Sequence, residues 1–443
     1  MDGTLPGTDG TRRDMTVQML TTKAEQAILK TFEDNAAQLP GGKSVAELRR
    51  AAIGAFASRG LPSRRVEEFK YTDLKANLRE AFPLLTGGAA DADTATGALG
   101  SHFGPEFAAN AVSFVDGRGT SSGGHTFLAD SKAVSMDWVQ AALADESLAA
   151  SADLLLNTAL FTDGAVIDVP AGADVADPVV IVASARDNGL AVLRHIIRVG
   201  KGAKVTLVEV ERAPIAAGLR QSSAVTQISI ADGAEVVHIK VVEAHKGSTH
   251  LGHWQVRLGA NVSYKPFQLT LGEGLVRNGL NVDFTGQHST LDFGGASVVH
   301  GSGHADSTLV VDHKVPHCTS RELYKTVLDG QARAVFQGKV IVQPGAQKTD
   351  GKQMAQALML SPDAEFDSKP ELEIYADDVI CGHGSTAAEI DPDLVFYCTS
   401  RGIPTAIARG MLIESFIAEA IEKVEHGGLR DALIGIARDS LAA

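Results

Sequence analysis

The stretch GAEVVHIKVVEAHKGSTHLGHWQVRLGANVSYKPFQLTL, residues 233–271, decides the fold. Apolar side chains recur at every second position in Val237/Ile239/Val241, Trp254/Val256/Leu258 and Phe267/Leu269/Leu271. A period of two is the signature of strands, because successive side chains of a strand point to opposite faces. The alternation extends outward to Ile228/Ile230, Leu280/Val282/Phe284, Val340/Val342 and Leu372/Ile374. Short turns punctuate it: Gly202-Ala203-Lys-Val205, Gly233-Ala234-Glu-Val236, Gly259-Ala260-Asn-Val262 and Asp363-Ala364-Glu-Phe366. The spacing is too irregular for a strict repeat. Short strands with tight turns and no intervening helices nevertheless suit a stacked solenoid, a β-helix, in which each rung buries its neighbour. A β-sandwich satisfies the same alternation.

The flanks read differently. Residues 1–20 are rich in Gly, Thr and Asp and are expected to be loose, and Met15 serves as well as Met1 for a start. Residues 21–162 read as a mainly helical region. Ser44-Val-Ala-Glu47 fits a capping box, Leu48, Ala52 and Phe56 share a face, and Gly60 with Pro62 supplies a stop. Residues 163–390 form the β-rich core, and residues 391–443 return to helix. There Leu412/Phe416/Ala420/Val424 make one apolar stripe and Leu429/Leu433/Ile436 a second, after Gly427-Gly428.

Bulk properties exclude several function classes. The 443 residues exceed the roughly 250–300 at which single cores stop growing, so more than one domain is expected. With 54 acidic against 40 basic residues the net charge is −14, which repels a phosphate backbone, so nucleic acid is not expected as a partner. No apolar run approaches the about 20 residues a membrane-spanning helix needs, and the polar N-terminus lacks a signal core. Three cysteines, Cys318, Cys381 and Cys398, argue for reduced thiols in the cytoplasm over a disulfide framework.

Nucleotide motifs fail on inspection. Gly42-Lys43-Ser44 resembles the end of a phosphate-binding loop, but Ala37 stands where its first glycine belongs. Gly301-Ser-Gly303 lacks the third glycine of a dinucleotide fingerprint, with Asp306 in its place. The chain is expected neither to bind nucleotide itself nor to act as an enzyme. Two clusters offer metal-ligand chemistry. Residues 312–318 bring together Asp312, His313, His317 and Cys318, although adjacent His317 and Cys318 point to opposite faces of a strand unless Pro316 introduces a turn. In Cys381-Gly-His383 the i, i+2 spacing puts thiol and imidazole on one strand face. Two ligands do not complete a tetrahedral site, so others must come from elsewhere in the chain or from another subunit. A buried cysteine beside a hydrogen-bonded histidine is the structural alternative.

The residues around these clusters carry a resemblance: Tyr324-Lys325, the run from Gly330 through Arg333, Phe336 and Gly338 to Lys339, Ala346-Gln-Lys-Thr-Asp350, Pro370 through Asp377-Asp378 to Cys381-Gly-His383-Gly-Ser-Thr386, Leu394-Val-Phe-Tyr397 and Ser400-Arg-Gly402. Together they resemble the SufB/SufD family of the SUF iron–sulfur cluster assembly scaffold. The Cys-x-His-Gly step, with Leu61-Pro-Ser-Arg64-Arg65 through Glu68-Phe-Lys70-Tyr71-Thr72-Asp73, is similar to the SufD type. Gly382, commonly Ser in that type, and Cys398, a feature of SufB-like chains, depart from it. The resemblance implies a right-handed parallel β-helix flanked by helical regions, pairing with a SufB-like subunit and docking a SufC-like ATPase through the C-terminal helices, with Leu412, Phe416, Ile417 and Ala420 as the docking stripe. It also implies that His383, with Cys381 in a lesser role, supplies a ligand to the nascent cluster at the subunit interface. Apart from the resemblance, a SufB-like scaffold subunit, or a β-helical metal-dependent enzyme using His313, His317, Cys318 and Cys381, stands as the alternative.

Overall fold

The computed structural model describes residues 21–87, 97, 99, 102–109, 111–120, 126–184, 186, 188–212 and 220–442. Two sheets face each other through the middle of the chain. One contains, in spatial order from its edge, the strands Ile380–Ala388, Asp350–Met359, Thr319–Leu328, Thr290–Val299, Ser263–Gly272, Glu235–Ala244, Lys204–Arg212 and Val179–Ser184, ending in Ala111–Val115 and Arg118–Thr120. The other contains Glu365–Ile374, Arg333–Val342, His304–His313, Leu275–Phe284, Thr249–Leu258, Arg220–Ile230, Gly189–Val199, Ala165–Val169 and Thr126–Phe127. From Ala165 onward consecutive strands alternate between the sheets, and within each sheet the neighbours pair in parallel. This is a parallel β-solenoid, which excludes the sandwich.

Alternation along each strand divides the side chains between two environments. Trp254, Val256 and Leu258 point into the solenoid with Leu280, Val282 and Phe284, forming the interior core. Ile239, Val241, Phe267, Leu269 and Leu271 point outward, where the C-terminal helices Thr405–Ile421 and Gly427–Ala442 cover them with Ile417, Ala420, Ile421, Leu429, Leu433 and Ile436. On the opposite outer face Val166, Val192 and Ile196 receive Ile53, Phe56, Leu155 and Leu160 from the N-terminal helices. Burial of apolar area on three parallel layers supplies the stabilisation, at about 25 cal/mol per Å² removed from water.

One corner of the solenoid repeats. Left-handed residues fall at Gly172, Gly202, Gly233, Asn261, His288, His317 and Lys348, at intervals of 30, 31, 28, 27, 29 and 31 residues. The residues that follow them from Ala203 onward (Ala203, Ala234, Val262, Ser289, Cys318 and Thr349) are all buried. Backbone N–H groups of Gly202, Gly233, Asn261 and His317 donate to carbonyls of the next rung at Asp232, Ala260, Gln287 and Gln347. The sequence reading placed the third turn at Gly259-Ala260, two residues early. Asn261, which tolerates positive φ, takes the corner instead, with Val262 as its inward residue.

The helix Gly42–Arg59 also departs from expectation. It begins two residues before Ser44, from Gly41 at φ 121, with no side-chain cap, so the expected capping box does not form. Its stop at Gly60, φ 70, is as read. The segment after it docks on the outer face of the second sheet. Arg277 lies over the Phe69 ring at 4.2 Å and pairs with buried Asp306, which also accepts the Thr72 hydroxyl.

Candidate functional site at the open end of the solenoid

Among the described residues the solenoid ends on two strands that lack a further neighbour, Glu365–Ile374 and Ile380–Ala388. Strands within the stack are buried on both faces, whereas these two are largely half-buried or exposed, and Ile374, Tyr375 and Ile380 are exposed beside them. A row of unpaired backbone donors and acceptors with apolar side chains beside it is a template for pairing with another chain.

Register fixes what this end presents. Phe293, Glu322, Gln353 and His383 occupy one column on successive rungs, and Ser320, Gly351 and Cys381 the adjacent one. Gln353 and Glu322 are buried, so His383 and Cys381 share the inward direction and stand at the mouth of the interior. Burial pushes the Cys381 thiol above its ordinary pKa, leaving it protonated until a cation or base displaces the proton. An open cleft of about 710 Å³ runs along this edge, bordered by Cys381, His383, Arg321, Lys352 and Lys423.

Beneath the mouth lies a feature that motif reading missed. Glu322 is 3% exposed, neither carboxylate oxygen is within good hydrogen-bond geometry of a partner among the described residues, and burial pushes its pKa up to about 8, against a smaller lowering by the neighbouring Gln353 amide. Both amide atoms of Gln353, one rung nearer the end, are likewise without partners. An acidic residue at an inward position of Ser320-x-Glu322-x-Tyr324 is the signal that could have found it, once the register is known.

The second predicted cluster is not assembled around one point. His313 faces the interior, stacked on Phe284 at 4.3 Å, with Nε2 3.1 Å from the Ser320 hydroxyl and its pKa pushed down to about 4 by burial. Cys318 is fully buried and its thiol donates to the Gly286 carbonyl at 3.4 Å. His317 occupies the left-handed corner on the outside, which is the turn expected near Pro316. Among the described residues no group of three or more His, Cys, Asp and Glu is placed to hold a metal ion. On the C-terminal helices Ile417 and Ala420 are buried against the sheet, and Leu412 and Phe416 are half-buried, with the Lys325 ammonium 4.4 Å above the Phe416 ring. Exposed apolar side chains come from another face: Leu394, Phe396, Tyr397, Ile407 and Met411.

The fold is thus a parallel β-solenoid with helices on two faces and an open end that presents a thiol and an imidazole on one face. Comparison with known proteins agrees. Residues 181–416 match the SUF system FeS cluster assembly SufBD core domain, and residues 22–88 match the SufBD protein N-terminal region, so the chain belongs to the SufBD family. It is 29% identical to the iron–sulfur cluster assembly protein SufD of Escherichia coli, over 85% of this chain and 88% of that one. An iron–sulfur cluster assembly SufBD family protein of Synechocystis is 28% identical over 92% of both chains. The chloroplastic protein ABCI7 of Arabidopsis thaliana is 29% identical over 60% of this chain and 58% of its own. Among the described residues no helix is long and apolar enough to cross a membrane.

Proposed function

We propose that this chain is a SufD-type scaffold subunit that pairs with a SufB-like subunit through the open rung and contributes His383 to a nascent iron–sulfur cluster held between the two. The observation that carries the reading is the position of His383 and Cys381 on the inward face of the terminal strand, whose outer edge is unpaired among the described residues. Thiolate sulfur and imidazole nitrogen suit iron, and two donors leave vacancies that a second subunit fills. The cluster is cargo, built at the interface and handed on. His383, exposed at the mouth, is the principal ligand, and Cys381, half-buried with its thiol held protonated by burial, has the lesser role. A SufC-like ATPase docks on the C-terminal helices, and the exposed apolar side chains Leu394, Phe396, Tyr397, Ile407 and Met411 supply contact area there, while the stripe Leu412, Phe416, Ile417 and Ala420 holds the helix in place. Nucleotide-driven movement of those helices then opens the interface. Its work is assembly and not turnover. Co-expression with SufB-like and SufC-like subunits tests the reading: a stable ternary complex that forms cluster is expected, and purification of this chain free of both partners under those conditions overturns it.

A further inference from the structure

Four corners of the solenoid in succession carry Asn261, His288, His317 and Lys348 in the left-handed conformation, where the three corners before them carry glycine. A side chain at such a corner points away from the rung, and successive rungs repeat the direction. His288 and His317 are both exposed, and their rings stack with centroids 4.9 Å apart and planes 14° from parallel. Among the described residues neither ring has a side-chain hydrogen bond, so their nitrogens are not committed to the protein.

We propose that His288 and His317 form a two-imidazole binding site for a divalent first-row transition cation on the outside of the solenoid. Imidazole nitrogens bind such ions at about 2.0–2.1 Å, so two of them chelate when they approach to about 3–4 Å of each other. Rings already stacked one rung apart reach that separation by side-chain rotation alone, with no movement of the hydrogen-bonded corner. Imidazole selects zinc, copper, nickel and iron over magnesium and calcium, which take oxygen ligands. Cys318 does not take part, since it is buried on the inner side and bonded to the Gly286 carbonyl. Lys348, on the following rung, is drawn off by its ion pair with Asp378. Asn261, on the preceding rung, offers an amide oxygen at the same corner. Water fills the remaining coordination positions, which makes the site exchangeable instead of closed. Two rungs, about 10 Å along the axis, separate His317 from the rung of Cys381 and His383. The site is independent of the proposed cluster ligand and does not rest on it.

Asparagine is the right replacement, because Asn261 shows that this corner accepts it at positive φ. The full chain, His288→Asn, His317→Asn and the double variant are each given substoichiometric Cu²⁺ and read by pulsed electron paramagnetic resonance, with Ni²⁺ and Zn²⁺ affinities measured by calorimetry. The wild type is expected to show two imidazole nitrogens on one copper. Each single variant loses at least about tenfold in affinity and retains one imidazole, the double variant loses the signal, and millimolar Mg²⁺ does not compete. A two-imidazole signal that survives in both single variants places the copper elsewhere and overturns the proposal, as does its absence from the wild type.

Discussion

Replacing Glu322 by Gln tests how this end of the solenoid is built. The carboxyl is 3% exposed, neither oxygen has a well-placed partner among the described residues, and burial pushes its pKa up to about 8. In the unfolded chain it titrates near 4.3. Between those values the folded state holds a proton that the unfolded state has released, so stability falls with rising pH by about 1.4 kcal/mol per unit and levels off above about 8. From pH 4.5 to 7 the accumulated cost is about 3 kcal/mol, and over the whole window about 5 kcal/mol. Glutamine keeps the shape and carries no proton to lose, so Glu322→Gln escapes that cost. For a chain of 443 residues unfolding entropy is about 0.9 kcal/mol per degree, so 3 kcal/mol is worth about 3 °C. Thermal unfolding of both proteins across pH 5 to 9 is the assay. The variant is expected to match wild type near pH 5, to exceed it by about 3 °C at pH 7, and to keep a constant lead above about pH 8.5. Parallel curves across the range mean that Glu322 is ionised in the folded protein and has a partner, which refutes the reasoning.

Other perturbations follow from the same geometry. Asp306→Ala leaves the buried Arg277 guanidinium without its carboxylate and frees Thr72, and is expected to cost about 3–5 kcal/mol, read as lower denaturant resistance and early proteolysis within residues 61–77. Cysteine labelling of the native chain should modify Cys381 and Cys398 and spare Cys318, which becomes reactive only on unfolding; modification of all three at one rate contradicts the corner packing. Cys318→Ala should cost less than about 1.5 kcal/mol, because Ala203 and Ala234 fill the same column, whereas Cys318→Phe overpacks it. On the C-terminal helices Met411→Asp is expected to leave the melting temperature within about 1 °C and to weaken binding of a SufC-like ATPase, while Ile417→Asp, buried at 2%, unfolds the helix packing. Unchanged ATPase affinity in Met411→Asp removes that face from docking.

Much of this architecture was legible in the period-two alternation, yet the alternation did not say which face was interior. Trp254/Val256/Leu258 and Phe267/Leu269/Leu271 look equivalent in sequence, but the first set fills the solenoid and the second lies under helices, because strands of a parallel sheet are buried on both sides. The rung repeat hid for a different reason. Its constant element is a backbone conformation, and the residue that adopts it changes from Gly233 to Asn261, His288, His317 and Lys348. That change also explains why His317-Cys318 read as a metal cluster: it is a corner residue followed by an inward one. The pairing of Cys381 with His383 on one face followed from i, i+2 spacing alone, but that the strand is terminal did not. Glu322 and Gln353 needed the register, since an acidic residue in a strand otherwise reads as solvated surface. On the C-terminal helix the apolar stripe marked the packed side, and the exposed Ile407 and Met411 on its other side carried no periodic signal of their own.

The central claim is that His383 acts on the cluster and not on the fold. His383 is exposed at the solenoid's end, so His383→Ala removes little packing and is expected to leave the melting temperature and the content of SufB-like and SufC-like subunits as in wild type. The measurement is visible-range cluster absorbance of the reconstituted complex, per mole of complex, for His383→Ala against wild type. The account predicts loss of the absorbance at unchanged complex content. Equal absorbance at equal complex content removes His383 from the chemistry, and loss of absorbance only in step with loss of complex makes it a structural residue.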